Sequence, residues 1–114
     1  MQKLKDMPAL LLDGALLAAI KATVAQSVPG AQVILFGSRA RGDAQPESDY
    51  DLLILAPSGL TREVRDSLRD RLYDVELAHN VVVSVFVYDL MTWNLPNYRA
   101  MPLHQHVDQE GIVL

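Results

Sequence analysis

Three short apolar runs limit what this chain can fold into: Gln32–Phe36 (QVILF), Tyr50–Leu55 (YDLLIL) and Val81–Tyr88 (VVVSVFVY). Each has the length and the aliphatic or β-branched content of a strand and is bounded by turn residues or polar segments. The segments around them repeat with a helical period instead. From about Leu10 to Ser27, the residues Leu12, Leu16, Ile20 and Val24 fall on one stripe with Leu17 beside it, and Pro29-Gly30 ends the run. After Pro57-Ser58-Gly59 stops the second strand, Thr61 is placed to cap a second helix, with Glu63 and Asp66 favouring its positive end. Val64, Leu68, Leu72 and Val75 line one face of that helix. Arg62, Arg65, Arg69 and Arg71 alternate with acids and read as its solvated face. The last stretch, MTWNLPNYRAMPLHQHVDQEGIVL, has broken helical character, interrupted by Pro96 and Pro102 with Gly111 near its end. The order helix, strand, short turn, strand, helix, strand, helix predicts an α+β fold: a small mixed sheet of three to four strands flanked by helices.

The 114 residues (1–114) are expected to form one domain, with room for a single core. A formal charge of −4 provides no basic footprint for a long nucleic-acid duplex. With no cysteine there is no disulfide framework and no thiolate metal site, which fits a cytoplasmic location. Lys3 and Lys5 precede PALLLDGALLAAI, which has the outline of a secretory leader. Asp13 and Gly14 interrupt it, Lys21 closes it and no small-residue cleavage site follows, so a cytosolic helix is expected. No stretch approaches the ~20 apolar residues of a membrane span, and no membrane association is expected.

The chemistry lies between the first two strands. In Phe36–Leu55 (FGSRARGDAQPESDYDLLIL) the first apolar run breaks into Gly37-Ser38, and the second opens on Asp49 and Asp51, two residues apart. Residues two apart on a strand project from the same face, so both carboxylates point one way while Tyr50 and Leu52 point into the packing. Paired carboxylates repel, and a hard divalent cation such as Mg²⁺ offsets that repulsion, preferring carboxylate, phosphate and water oxygens. Gly37 lets the backbone approach a ligand closely. The exposed amides and the Ser38 hydroxyl can hold phosphate oxygens, and Arg39 and Arg41 add positive charge nearby. Asp43–Ser48 (DAQPES) is turn chemistry that brings the second strand back alongside the first. Taken singly, a Gly-Ser after a strand is usually a turn, and a D-x-D is often solvated edge charge. A chance match to the combined spacing G-S-x10-D-x-D in a chain this short is on the order of one in a thousand.

The run Gly37-Ser38-Arg39-Ala40-Arg41-Gly42, followed by Ser48-Asp49-Tyr50-Asp51-Leu52, resembles the signature of the polymerase-β-type nucleotidyltransferase superfamily. It is most similar to the stand-alone minimal nucleotidyltransferase domains. The motif core covers residues 37–55, and the order of elements extends the likeness over most of the chain. No G-x-x-x-x-G-K-[ST] is present, so this is not a Walker-type phosphate loop. The resemblance implies two-metal transfer of a nucleoside monophosphate from a nucleoside triphosphate to a small-molecule or protein hydroxyl. In that scheme Asp49 and Asp51 are catalytic and bind Mg²⁺, while Gly37 and Ser38, with Arg39 and Arg41 nearby, position the triphosphate.

Active members of the family usually carry a third acid on the next strand, within an apolar-Asp-apolar-apolar pattern. The matching stretch here is Val83-Ser84-Val85-Phe86, so Ser84 stands at the acid position and one of the two metal positions loses a charged ligand. Asp89 lies five residues further on and on the opposite strand face, and Glu76 sits on the preceding helix. His104 and His106 are expected to be structural or solvated, and Trp93 and Tyr98 to cap the core or form an interface. The resemblance therefore supports two expectations. One is an enzyme. The other is a catalytically weak or inactive nucleotide-binding module that pairs with another chain, as a homodimer or as the antitoxin partner of a HEPN-type protein.

Overall fold

The computed structural model describes residues 1–4 and 12–114. Its elements in chain order are β1 (Gln2–Lys3), α1 (Gly14–Ser27), β2 (Gln32–Phe36), α2 (Ser38–Arg41), β3 (Tyr50–Ala56), α3 (Arg62–His79), β4 (Val83–Asp89), α4 (Leu90–Trp93), α5 (Pro96–Arg99), α6 (Pro102–Glu110) and β5 (Ile112–Val113). The strands form one mixed sheet in the order β1-β5-β2-β3-β4. β2 and β3 are antiparallel, as the turn between them requires, while β3 and β4 are parallel, with α3 as the crossover.

Strand parity divides the core into two layers. Val33 and Leu35 of β2, Tyr50, Leu52, Ile54 and Ala56 of β3, and Val83 and Val87 of β4 pack on Leu16, Leu17, Ile20 and Val24 of α1 and on Leu68 and Leu72 of α3. The opposite face carries Ile34, Phe36, Leu53 and Leu55 and is covered by Trp93 of α4 and Val107 of α6. Trp93 is buried and stacks on His104 of α6 at 4.2 Å between ring centroids. It also meets Tyr88, which Tyr98 approaches edge-on at 5.7 Å. The aromatic residues of the tail thus cap the second layer. His104 is buried with its Nδ1 3.0 Å from Asp108 Oδ2, whereas His106 is exposed.

The two long helices start where side-chain caps are available. Asp13 Oδ1 accepts the Leu16 amide, so α1 begins at Gly14 rather than near Leu10, and Leu12 packs on the core from outside the helix. The part of that expected helix at residues 10–11 lies outside the described residues. Thr61 Oγ1 accepts the Val64 amide at 3.1 Å and starts α3 as expected. The third strand is shifted from the expected Val81–Tyr88. Asn80 adopts the left-handed conformation that closes α3, and the Val81 amide donates back to the Glu76 carbonyl, so Val81 and Val82 belong to the exit turn. The sheet has five strands, not three to four, because β1 and β5 add two residues each. β5 lies between β1 and β2, pairing Ile112 with Leu35 and Val113 with Ile34. Pro96 and Pro102 stand at helix starts, where their missing N–H costs nothing. Among the described residues, no helix is long and apolar enough to cross a membrane.

Trp93 joins α4 to α6 over the second layer, so Trp93→Ala is expected to destabilise the protein by about 3–5 kcal/mol. Chemical denaturation followed by far-ultraviolet circular dichroism measures this directly. A midpoint unchanged from wild type would contradict the packing role.

Candidate functional site

The turn end of the β2–β3 pair gathers the residues singled out by the sequence. Phe36, the last residue of β2, is opposite Asp51 in the antiparallel register, and Asp51 is paired in turn with Ser84 across the parallel β3–β4 ladder. Asp51 shares its face with Leu53 and Leu55. Trp93 of α4 and Val107 of α6 pack with Leu53 and Leu55 on that face. Asp49, just before β3, is exposed, and Asp51 is half-buried. The Ser84 hydroxyl donates to Asp49 Oδ2 at 3.1 Å, so the serine expected at the third-acid position lies against one of the two aspartates. Asp89 falls on the other strand parity. Glu76 accepts the Val83 amide at 3.0 Å, away from the acids. Among the described residues, no group of three or more His, Cys, Asp or Glu side chains is placed to hold a metal ion.

Gly37 is where the geometry is tightest. Its φ of 76° lies in the region that favours glycine, and a β-carbon there would fall inside the Asp51 carboxylate. The turn between β2 and α2 is therefore shaped around this carboxylate. Ser38 follows as the first residue of α2. The two arginines are both engaged within the fold. Arg39 donates to the carbonyls of Ser48 and Pro46 and lies over the Tyr50 ring at 4.5 Å, which clamps the loop that delivers Asp49. Arg41 donates through Nη1 to Glu110 Oε2 at 2.9 Å and through Nε to Asp43 Oδ2 at 3.2 Å. These two pairings, Glu110 first, raise its already high pKa.

Glu110, the last residue of α6, was not singled out by the sequence. Its Oε1 accepts the Gly37 amide at 3.1 Å across 73 residues of chain. Three carboxylates therefore act on one another around this turn. Burial raises the Asp51 pKa first, and the negative charges of Asp49 and then Glu110 raise it further, with Arg41 opposing them. The donor set of two carboxylates and a hydroxyl suits a hard cation whose remaining ligands are phosphate oxygens and water.

Because the folded-state pKa of Asp51 lies above its unfolded value, its contribution to stability is greatest below the unfolded pKa and is lost as pH rises through the folded one. At neutral pH without divalent cations, Asp51→Asn should therefore raise the melting temperature. The rise should be about 2–3 °C once solvent screening is allowed for, and the pH dependence on the acid side should flatten. Gly37→Ala should do the reverse, costing about 1–3 kcal/mol for backbone strain alone. Calorimetric melts of both variants between pH 4 and 8 check the pair. A destabilised Asp51→Asn would show that the carboxylate is not held against repulsion.

A nucleotidyltransferase-domain family model matches residues 17–100. A relative from Haemophilus influenzae, "Probable protein adenylyltransferase MntA", is 35% identical over 77 residues, covering 68% of this chain and 61% of its own length. The chain spans about three fifths of the length of the curated relatives it matches. Among solved structures, a minimal nucleotidyltransferase superposes with a TM-score of 0.59 at 27% identity, covering 93% of this chain and 100% of that one. The crystal structure of a toxin–antitoxin with AMP-PNP gives a TM-score of 0.59 at 23% identity, covering 84% and 69%, a likeness of fold.

Proposed function

Since the chain belongs to the nucleotidyltransferase-domain family, we propose that it binds a nucleoside triphosphate with Mg²⁺ at the Gly37–Asp51 end of the sheet. We further propose that it transfers the nucleoside monophosphate to a protein hydroxyl, slowly when acting alone. The observation that carries this reading is the single sheet face shared by Asp49, Asp51 and Ser84, set against the close turn at Gly37. A protein acceptor is favoured by the adenylyltransferase name of the Haemophilus relative, and AMP by the same name and by the AMP-PNP of the toxin–antitoxin structure.

Asp49 and Asp51 would hold the cation, which when bound supplies charge neutralisation at the phosphates. The Gly37 turn and the Ser38 hydroxyl would carry phosphate oxygens. Arg39 would act by holding the Asp49 loop rather than by touching nucleotide, since its guanidinium is already committed to Ser48, Pro46 and Tyr50. The acceptor hydroxyl oxygen forms a bond to the α-phosphorus and gives its proton to solvent, the bond from that phosphorus to the bridging oxygen breaks, and pyrophosphate leaves. Ser84 is neutral and already donates to Asp49. It can neither add charge nor take the acceptor proton, so the step this chain supports least is activation of the acceptor.

A second reading rests on that same serine and on Glu110, the third carboxylate at the turn, being engaged by the Gly37 amide and Arg41 rather than grouped with the aspartates to hold a metal. In this reading the domain keeps nucleotide affinity and works chiefly as the antitoxin-like partner of another chain, HEPN-type in the family's pattern.

Titration calorimetry with ATP, GTP, CTP and UTP plus Mg²⁺ should show weak binding that Asp49→Asn combined with Asp51→Asn removes. Label transfer from α-³²P ATP to a co-expressed partner should be slow for wild type, and faster by on the order of a thousandfold in Ser84→Asp, which restores a charged ligand beside Asp49. Brisk wild-type transfer abolished by Asp49→Asn would overturn the role given to Ser84. No nucleotide binding at all would leave only the fold.

A further inference from the structure

Glu110 has no place in the family signature, yet its carboxylate sits on the turn assigned to phosphate. Oε1 accepts the Gly37 amide at 3.1 Å and Oε2 accepts from Arg41 at 2.9 Å. These are the two kinds of partner a phosphate oxygen would seek there: a backbone N–H on a glycine turn and a guanidinium. Only 17% of the Glu110 side chain is exposed, while Arg41, its partner, stands at the surface. It is held from behind, because Val107 is fully buried in the second layer and Ile112 is paired into the sheet on the other side. Beside the pair lies an open hollow of about 480 Å³ bordered by Met1, Gln2, Arg41, Asp108 and Glu110, which is room for the carboxylate to swing into.

We propose that Glu110 is an internal competitor of the triphosphate: it occupies the Gly37 amide and Arg41 until a polyphosphate carrying its own divalent cation displaces it. The inference rests on the nucleotide reading above and deepens it. A metal-free triphosphate brings several negative charges towards Asp49, Asp51 and Glu110 together, and Arg41 is already neutralised by Glu110 and Asp43. A cation-bound triphosphate arrives less charged, and its cation meets the two aspartates. Displacing Glu110 then frees Arg41 and the Gly37 amide for phosphate oxygens. Glu110 thus makes nucleotide binding depend on the cation and links the site to the end of α6, where β5 begins.

The test is Glu110→Gln, which keeps an oxygen for the Gly37 amide and removes the charge. Inorganic tripolyphosphate and ATP are titrated calorimetrically, in EDTA and in Mg²⁺. In EDTA the variant should bind both at least tenfold more tightly than wild type, with a smaller gain in Mg²⁺. Affinity that is unchanged or weaker in the variant, while wild type still binds Mg²⁺-ATP, overturns the inference and leaves the nucleotide reading standing. No binding by either protein under either condition defeats the nucleotide reading, and the inference with it. If Glu110→Gln does not fold, wild type alone decides. With ¹³C-labelled glutamate, the Glu110 carboxyl resonance must shift on saturation with Mg²⁺-tripolyphosphate, and an unmoved resonance at saturation rules displacement out.

Discussion

The close approach of the Asp51 carboxylate to the α-carbon of Gly37 is the constraint from which the functional end of the molecule follows. It is produced by the β2–β3 register, which sets Phe36 opposite Asp51 and so makes the next residue the one that must lack a side chain. With that approach in place, α2 leaves the sheet at a fixed angle, and Arg39 reaches back over Tyr50 to pin the loop before Asp49. The Gly37 amide is left facing Glu110. A slip of one residue in this pairing would turn both aspartates towards the α1–α3 layer, where charge has no partner.

Most of the architecture was legible because its elements are long and patterned. β2 has the expected bounds, β3 extends them by one residue, and Thr61 caps α3 as its position suggested. The unread parts are those whose order comes from elsewhere in the chain. Gln2–Lys3 and Ile112–Val113 are too short to carry a period; Ile112–Val113 becomes a strand because β2 offers an edge, and Gln2–Lys3 because β5 then offers the next one. The start of β4 was misplaced because Val81 and Val82 have strand composition, while the left-handed Asn80 and a hydrogen bond back to Glu76 hold the chain in a turn.

At the site, parity brought Asp49 and Asp51 to one face and the family resemblance set Ser84 beside them, and the structure adds the Ser84–Asp49 hydrogen bond. The arginines were visible as charges, but their direction was not. Arg39 turns to backbone carbonyls and Arg41 to carboxylates. Glu110 was missed because no local pattern marks it: it ends a short helix after a stretch broken by prolines. The one available signal was an acid directly before a glycine at the end of the last apolar period. In the structure Gly111 is a position of close approach, where a β-carbon would lie 2.5 Å from the Val107 carbonyl oxygen and 2.9 Å from Ile34.

The insertion of β5 between β1 and β2 has a consequence for how the molecule reaches its native state. The β2–β3 hairpin is joined by local contacts, whereas β5 meets Ile34 and Leu35 only after about two thirds of the chain has looped back. Closing such a loop is entropically disfavoured until the surrounding layers can reward it, so pairing of this span belongs to the late part of folding. The Gly37–Glu110 contact depends on the same closure. Topology therefore predicts that the aspartate pair forms on its hairpin before the glycine turn acquires its carboxylate neighbour.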